Sequence, residues 1–237
     1  SMPDTMPIAF EGAQAALIVT PNDPSARDMS KDAQLTENMI LGAVKSGCKY
    51  IVLVGSWTVH APDRMPIISS RFTGPESLLA RLGREKGFKW SVLRGGFFME
   101  NLPHMMRDGI KNESTIRFMS TAVPLVATRD IGRTAAALLA SAQYDAHHGH
   151  FYEMSGAEKL NGQQIATILG RTLGKEIKFV ALTADAIKQL PLPLAQLFAY
   201  IEEKGDSAVP FSGDIKQLTG QQMSFEQFVK EHANEFN

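Results

Sequence analysis

The sequence predicts an α/β fold with a doubly wound parallel sheet, and three observations lead to this fold class. Two continuously apolar, β-branched runs, Ala15 to Thr20 and Tyr50 to Gly55, are typical of parallel strands buried on both faces. The segment between them has helical periodicity, so strand, helix and strand form one right-handed crossover. A second helix and the short strand Trp90 to Arg94 repeat the pattern.

Apolar stripes and end signals predict the helices. They cover about Asp28 to Ser46, Pro75 to Lys86, Ile131 to Gln143, Gly162 to Leu173 and Phe225 to Glu235. The last two begin with capping-box patterns at Asn161 and Ser224. The segment Leu190 to Pro193 divides a further helix in two, because proline lacks an amide donor and blocks the preceding turn.

After Arg94 the pattern changes, and this change suggests a domain organisation. Further strands are expected at Ile116 to Ser120 and His150 to Gly156. We expect an α/β core over residues 1–156, with elements of a second layer interleaved after residue 95. Residues 157–237 are expected to form a small, mostly helical C-terminal cap.

The composition excludes several classes of partner. Lysine plus arginine (24) nearly balance aspartate plus glutamate (25), so no overall field attracts nucleic acid or an acidic membrane. No apolar stretch approaches the ~20 residues of a membrane-spanning helix. The single cysteine, Cys48, cannot form an internal disulfide, which favours a reducing, cytoplasmic location.

The loops that follow the predicted strands are the candidate ligand site, because open parallel sheets bind ligands at the carboxyl ends of their strands. These loops contain Thr20-Pro21, Gly55-Ser56-Trp57 and Gly95-Gly96-Phe97-Phe98. The same residues have purely structural alternatives. A hydroxyl can satisfy its own loop, and paired glycines also serve tight turns.

Glycine motifs that bind phosphate are missing from the sequence. No Gly-x-Gly or Gly-x-x-Gly occurs anywhere in the chain. Gly42 and Gly47 have the spacing of a P-loop, but Cys48 stands where that motif requires lysine.

Four segments resemble the NmrA-like family of atypical short-chain dehydrogenases/reductases, in order and in spacing. They are Ala9 to Asp23, Leu93 to Leu102, Pro124 to Gly132 and Met223 to Phe236. The resemblance implies a Rossmann-like sheet whose fourth, fifth and sixth strands are the three described above, and a cap on the substrate side. It also implies that the chain is N-terminally truncated relative to the family, without the glycine turn that binds the pyrophosphate.

The resemblance implies NADP or NAD as cofactor and oxidoreduction of a small carbonyl or quinone substrate. On this basis, the cofactor-binding residues are expected to be Thr20, Pro21, Gly55, Ser56, Gly96 and Phe97. Trp57, Phe98 and Asn101 are expected to line the substrate pocket, although Asn101 could instead cap a helix. Without the glycine turn, this chain alone is not expected to complete the dinucleotide site.

The catalytic pair of the superfamily has no counterpart here. Its tyrosine, a general acid, and the lysine four residues later align with Phe72 and Glu76, and neither can do that chemistry. One Tyr-x-x-x-Lys does occur, at Tyr200 to Lys204, but it lies in the C-terminal helical region and is interpreted as a coincidence. The catalytic residues are therefore left unassigned.

The histidines are candidates for metal ligands and for proton donors. His147, His148 and His150 lie in a strand lead-in where neighbouring side chains diverge, so no metal site is predicted. His60 and His104 could act as acid or base, but the sequence identifies no orienting partner for either.

Three hypotheses follow from these patterns. The first is an NAD(P)-dependent oxidoreductase whose cofactor site is completed by sequence outside these residues. The second is a non-catalytic redox sensor or regulator, which Phe72 and Glu76 favour. The third is an interaction protein that begins at Met2 and binds no dinucleotide. Its edge strand, Ala15 to Thr20, would then be covered by the N-terminal residues, by a rearranged sheet order or by a homodimer.

Overall fold

A computed structural model describes residues 5–20, 29–141 and 143–237. Its strands are Ala15–Val19 (β1), Tyr50–Ser56 (β2), Lys89–Gly95 (β3), Phe97–Phe98 (β4), Thr115–Phe118 (β5), Val123–Val126 (β6), His150–Met154 (β7), Lys159–Leu160 (β8) and Lys178–Ala181 (β9). Its helices are Met6–Ala9 (α1), Ser30–Lys45 (α2), Pro66–Lys86 (α3), Asn101–Glu113 (α4), Thr128–Ala140 (α5), Tyr144–His147 (α6), Gly162–Leu173 (α7), Ala184–Lys188 (α8), Leu192–Lys204 (α9), Asp214–Thr219 (α10) and Phe225–Glu231 (α11). A 3-10 turn, Trp57–His60, follows β2.

The chain divides into two compact units. The first contains the described residues of 1–95 and 133–153, and the second contains 96–132 and 154–237. The chain therefore leaves the first unit after β3 and returns to it before β7. The core and cap boundaries expected from the sequence, 1–156 and 157–237, stay a prediction.

The first unit is built on a four-stranded sheet with strand order β1-β2-β3-β7. β1 pairs in parallel with β2, and β2 in parallel with β3, as the apolar strand runs predicted. Helices α2 and α3 pack against one face, where Ile18, Leu53 and Val92 lie side by side in a buried core with Ile40 and Leu79. The α/β fold with a parallel sheet is thus confirmed.

The opposite face of this sheet is partly polar. The hydroxyls of Tyr50 on β2 and Ser91 on β3 are 2.7 Å apart and hydrogen-bonded. The Tyr50 ring stacks on Tyr144 of α6, with 4.5 Å between the ring centroids. Burial raises the pKa of Tyr50 to about 12, so this phenol stays neutral within the packing.

β1 lies at the edge of the sheet, and its apolar side chains are covered on one face only. Ala16 and Ile18 are 7% and 1% exposed, whereas Leu17 and Val19 on the other face are 41% and 54% exposed. The strand Ala15–Val19 carries no charge and no proline that would block pairing with another chain.

Several helix ends differ from the sequence-based expectations. α3 begins at Pro66 rather than Pro75, and Pro75 lies inside the helix. Proline in the first turn of a helix loses no hydrogen bond, so Pro66 and Pro75 are both candidates for the first turn. The sequence pattern alone favoured Pro75, which is wrong. α5 begins at Thr128 rather than Ile131, and α11 ends at Glu231 rather than Glu235.

The second unit contains a three-stranded sheet, β4-β6-β8, a strand pair β5-β9 and most of the remaining helices. The predicted capping box at the start of α7 is present, with Asn161 and Gln164 each bonded to the other's backbone amide. The Leu190 to Pro193 segment separates α8 from α9, as expected. In the described part of the chain, no helix is both long and apolar enough to cross a membrane.

Candidate functional site

Four charged or titratable side chains meet where β2 and β3 end, in the first unit. Glu76 comes from α3, Arg94 from β3, Glu153 from β7 and His60 from the 3-10 turn after β2. We call this group the edge network. The carboxyl ends of parallel strands are where open α/β sheets bind ligands, so its position marks it as a candidate site.

Glu76 and Arg94 form its buried half. The Arg94 guanidinium donates from Nη2 to Glu76 Oε2 at 2.8 Å, and its Nε lies 3.3 Å from the same oxygen. The two side chains are only 7% and 15% exposed. Burial raises the pKa of Glu76 above its ordinary value although Arg94 opposes this, and hydrogen bonds to Glu76 raise the pKa of Arg94 despite burial.

Gly55 makes room for this ion pair. A Cβ atom at Gly55 would lie 2.6 Å from Glu76 Oε1 and 2.9 Å from a Val92 methyl group. Gly55, the next-to-last residue of β2, therefore has a packing role in this structure. Its predicted contact with a cofactor stays a prediction.

His60 and Glu153 form the outer half of the network. His60 Nε2 lies 2.7 Å from Glu153 Oε1, and Arg94 Nη1 lies 3.4 Å from the same oxygen. The Arg94 guanidinium also stacks over the ring of Phe151, 4.1 Å from its centroid. Glu153 is 93 residues away from His60 in the chain, so no sequence pattern indicates it as the orienting partner.

The edge network has a defined proton arrangement. A carboxylate only accepts, so the proton in the His60–Glu153 hydrogen bond is on Nε2. Nδ1 of His60 has no partner within the described ranges, and the side chain is 43% exposed. Glu76, Glu153 and Arg94 together carry a formal charge of −1.

The structure describes three of the remaining predicted residues of the first unit, Thr20, Ser56 and Trp57. Thr20 follows β1 and is 8% exposed, and its hydroxyl has no hydrogen-bond partner in the part of the chain that the structure describes. Pro21 lies outside the described residues. Ser56 Oγ accepts from the Thr58 amide at 3.3 Å and from the Thr58 hydroxyl at 3.0 Å, which leaves its own proton to donate. Trp57 is 3% exposed and packs within the protein.

The other predicted residues belong to the second unit. Gly96 donates its amide to the Met154 carbonyl at 2.9 Å, and a Cβ atom on it would lie 2.9 Å from that oxygen. Phe97 packs edge-on against Phe118, with 5.7 Å between the ring centroids. Phe98 ends β4, and Asn101 is the exposed first residue of α4. Their roles toward a ligand stay predictions.

The residues that were set aside in the sequence also have defined places. Tyr200 and Lys204 lie on α9 in the second unit. His147 Nδ1 is 2.8 Å from the Tyr152 hydroxyl, whereas His148 Nδ1 accepts from the Trp90 amide at 3.3 Å, so the two rings are engaged separately. Among the described residues, no group of three potential ligands could hold a metal ion.

The described residues fit one edge of a dinucleotide site. The unpartnered, buried Thr20 hydroxyl and the free Ser56 proton offer hydrogen bonds at neighbouring strand ends. The glycine turn that would bind a pyrophosphate is not found in this sequence. By the family resemblance, Glu76 stands at the position of the superfamily's lysine. The guanidinium of Arg94 on β3 pairs with the Glu76 carboxylate.

The class of protein follows from the sequence, and the fold agrees with it. The model of the NmrA-like family matches residues 3–229, so the chain belongs to this family.

Two relatives by sequence are named as reductases. The chain is 27% identical over 96% of its length to the (4-alkanoyl-5-oxo-2,5-dihydrofuran-3-yl)methyl phosphate reductase of Streptomyces griseus subsp. griseus, covering 79% of that protein. It is 26% identical over 99% of its length to the NAD(P)H azoreductase of Xenophilus azovorans, covering 80% of it. The crystal structure of an NADPH-dependent quinone oxidoreductase from Escherichia coli, complexed with NADPH, has the same fold, with a TM-score of 0.74, 20% identity and coverage of 98% and 80% of the two chains.

Proposed function

We propose that this protein is an NAD(P)-dependent oxidoreductase that acts on a small carbonyl or quinone substrate. Two of its relatives by sequence are named as reductases, one of them with NAD(P)H. The observation that carries the proposal is the hydrogen-bonded pair of His60 and Glu153 at the carboxyl edge of the sheet. By the family resemblance, Phe72 stands at the position of the superfamily's tyrosine. The pair would supply the proton donor in its place.

Each residue of the edge network has a role in this proposal. A bound reduced nicotinamide would supply a hydride. Thr20 and Ser56 would donate hydrogen bonds to the dinucleotide. His60 would hold the transferable proton on Nδ1, while Glu153 accepts from Nε2 and fixes the ring. Arg94 compensates the charge of Glu76, so that carboxylate does not compete for the proton.

Thermal unfolding with excess NADPH or NADH tests cofactor binding first. At about a hundred times its dissociation constant, a ligand adds ~2.7 kcal/mol to the free energy of unfolding, which is a shift of several degrees. NADPH consumption with quinone and enone substrates then tests catalysis. No shift with either dinucleotide would refute the proposal for this chain and favour an interaction protein.

A non-catalytic redox sensor is the second candidate. Phe72 and Glu76 favour it, because the superfamily's tyrosine and lysine are both replaced. The two candidates differ in one measurement. A sensor shows the cofactor-dependent shift but consumes no NADPH with any carbonyl or quinone offered.

The proposal includes a homodimer joined through β1, a small-molecule ligand, a cytoplasmic location and no nucleic-acid partner. Support for the dimer comes from the uncharged edge strand, whose Leu17 and Val19 are exposed. Antiparallel pairing of two β1 strands about a twofold axis would satisfy their free backbone groups and cover these side chains. The proposed substrate-side role of residues 157–237 rests on the family resemblance.

A further inference from the structure

A cavity lies where β2 and β3 begin, at the end of the first unit's sheet opposite to the edge network. Its volume is 490 Å³, which is within the range of small-molecule sites. The last turns of α2 and α3 and the residues before the two strands surround it. Since β2 has seven residues, the cavity is roughly 20 Å from Ser56 and the edge network.

Three lysines line this cavity: Lys49, Lys86 and Lys89. Lys89 Nζ lies 2.6 Å from Asp145, whose side chain is 85% exposed. Among the residues that the structure describes, Lys49 and Lys86 have no carboxylate within ion-pair distance. The side chains therefore sum to a formal charge of +2 around one opening.

The ends of two helices reduce this charge without removing it. The carboxyl ends of α2 and α3 each contribute roughly half a negative charge, so about +1 remains. Lys86 lies in the last turn of α3, where a lysine is expected for that reason. Lys49 and Lys89 lie outside both helices, so capping does not account for them.

Aromatic rings form the apolar part of the lining. Tyr144 and Phe88 both border the cavity. The Tyr144 ring is fixed by stacking on Tyr50 and by its hydroxyl, which donates to the Leu139 carbonyl at 3.3 Å. A rigid aromatic wall beside unpaired ammonium groups matches a ligand that combines a flat ring with an anionic group.

We propose that this cavity binds a small organic anion in which a phosphate or carboxylate is attached to a planar apolar ring. The ammonium groups of Lys49 and Lys86 bind the anion, and Tyr144 packs against the ring. Lys89 joins them when the ligand displaces the exposed Asp145. This site does not depend on the proposed oxidoreductase activity.

Titration with phenyl phosphate, followed by NMR at constant ionic strength, tests the site. Benzoate replaces the phosphate by a carboxylate, whereas inorganic phosphate and phenol each carry half of the recognition. Phenyl phosphate should bind saturably and more tightly than either half. The double variant Lys49→Gln/Lys86→Gln should weaken it about tenfold or more, because two charged partners are lost.

A matched control variant makes the result decisive. The variant Lys111→Gln/Lys216→Gln removes two exposed lysines of the second unit and should change the affinity less than about twofold. Non-saturable binding, or equal losses in both double variants, would overturn the proposal.

Discussion

At the scale of single residues, one buried carboxylate shapes the chemistry of the candidate site. Glu76 on α3 is buried, and burial of a lone carboxylate at that place would be costly. Arg94 from β3 compensates its charge and also contacts Glu153, which in turn holds His60. One guanidinium thus joins the buried and the outer half of the network.

The proposed proton donor can be tested by removing its imidazole. His60→Gln should lower kcat by about a hundredfold with a carbonyl substrate, in the range usual for loss of a general acid. The NADPH-induced shift in unfolding temperature should remain, because His60 is not proposed to bind the dinucleotide.

The matched control is His104→Gln, which changes an exposed histidine on α4. It should keep kcat. Unchanged turnover in His60→Gln would eliminate His60 as the donor while leaving cofactor binding untouched.

The ion pair predicts a pH-dependent stability effect. Arg94→Gln leaves the buried Glu76 carboxylate without its cation and should lower the free energy of unfolding by about 3 kcal/mol at neutral pH. The pKa of Glu76 is already raised by burial, and losing Arg94 raises it further. A raised carboxyl pKa costs stability as pH rises through it, so the loss should shrink toward pH 4.

Urea unfolding at the two pH values measures this difference. Arg81→Gln, which breaks an exposed pair with Glu85, is the control and should cost less than about 1 kcal/mol at either pH. Equal losses for Arg94→Gln at both pH values would contradict the charge explanation.

At the scale of elements, helix ends depend on short-range signals that differ in strength. The box at Asn161 uses two reciprocal hydrogen bonds, 3.0 Å from the Gln164 amide to Asn161 Oδ1 and 2.9 Å from the Asn161 amide to Gln164 Oε1. At α11 only the Ser224 half is made, because the Gln227 side chain turns to Glu231 instead. The same sequence pattern therefore gives two different local structures.

The reciprocal cap at Asn161 predicts a cost in stability when its side chain is removed. Asn161→Ala should lower the free energy of unfolding by about 1 kcal/mol. Asn161→Ser keeps the oxygen acceptor and should retain most of that stability. Thermal or urea unfolding checks both variants, and an equal loss in the serine variant would show that the cap is not responsible.

At the scale of the whole molecule, the uncovered edge strand determines what assembly is expected. β1 is paired to β2 alone among the described strands, and its outer face carries Leu17 and Val19. Burial of apolar side chains is worth about 25 cal/mol per Å², so cross-strand contacts of Leu17 and Val19 between two paired β1 strands favour association.

The homodimer predicts a concentration-dependent mass. Light scattering after size exclusion should give twice the monomer mass for the unmodified chain, and Val19→Lys should shift it toward monomer, because a charge at the edge opposes pairing. Ile8→Lys changes a more exposed apolar residue outside the strand and should leave the mass unchanged. A monomer at every concentration would rule out the dimer.

The sequence by itself determined the local elements whose signals are short in range. The strands β1 and β2, the helix α7 with its cap and the break between α8 and α9 follow from apolar runs, side-chain caps and prolines. Parallel pairing followed from the continuously apolar runs and from the helix between them. The family also followed, from four separated segments of the chain.

Only the tertiary structure decided what surrounds His60. The partners Arg94 and Glu153 are 59 residues apart in the chain, and Glu153 is 93 residues from His60. No periodicity or spacing records such a contact, because it depends on which strands become neighbours when the sheet forms. The basic cavity has the same origin, since Lys49, Lys86 and Tyr144 are brought together by the order of β2, β3 and α6 rather than by their positions in the sequence.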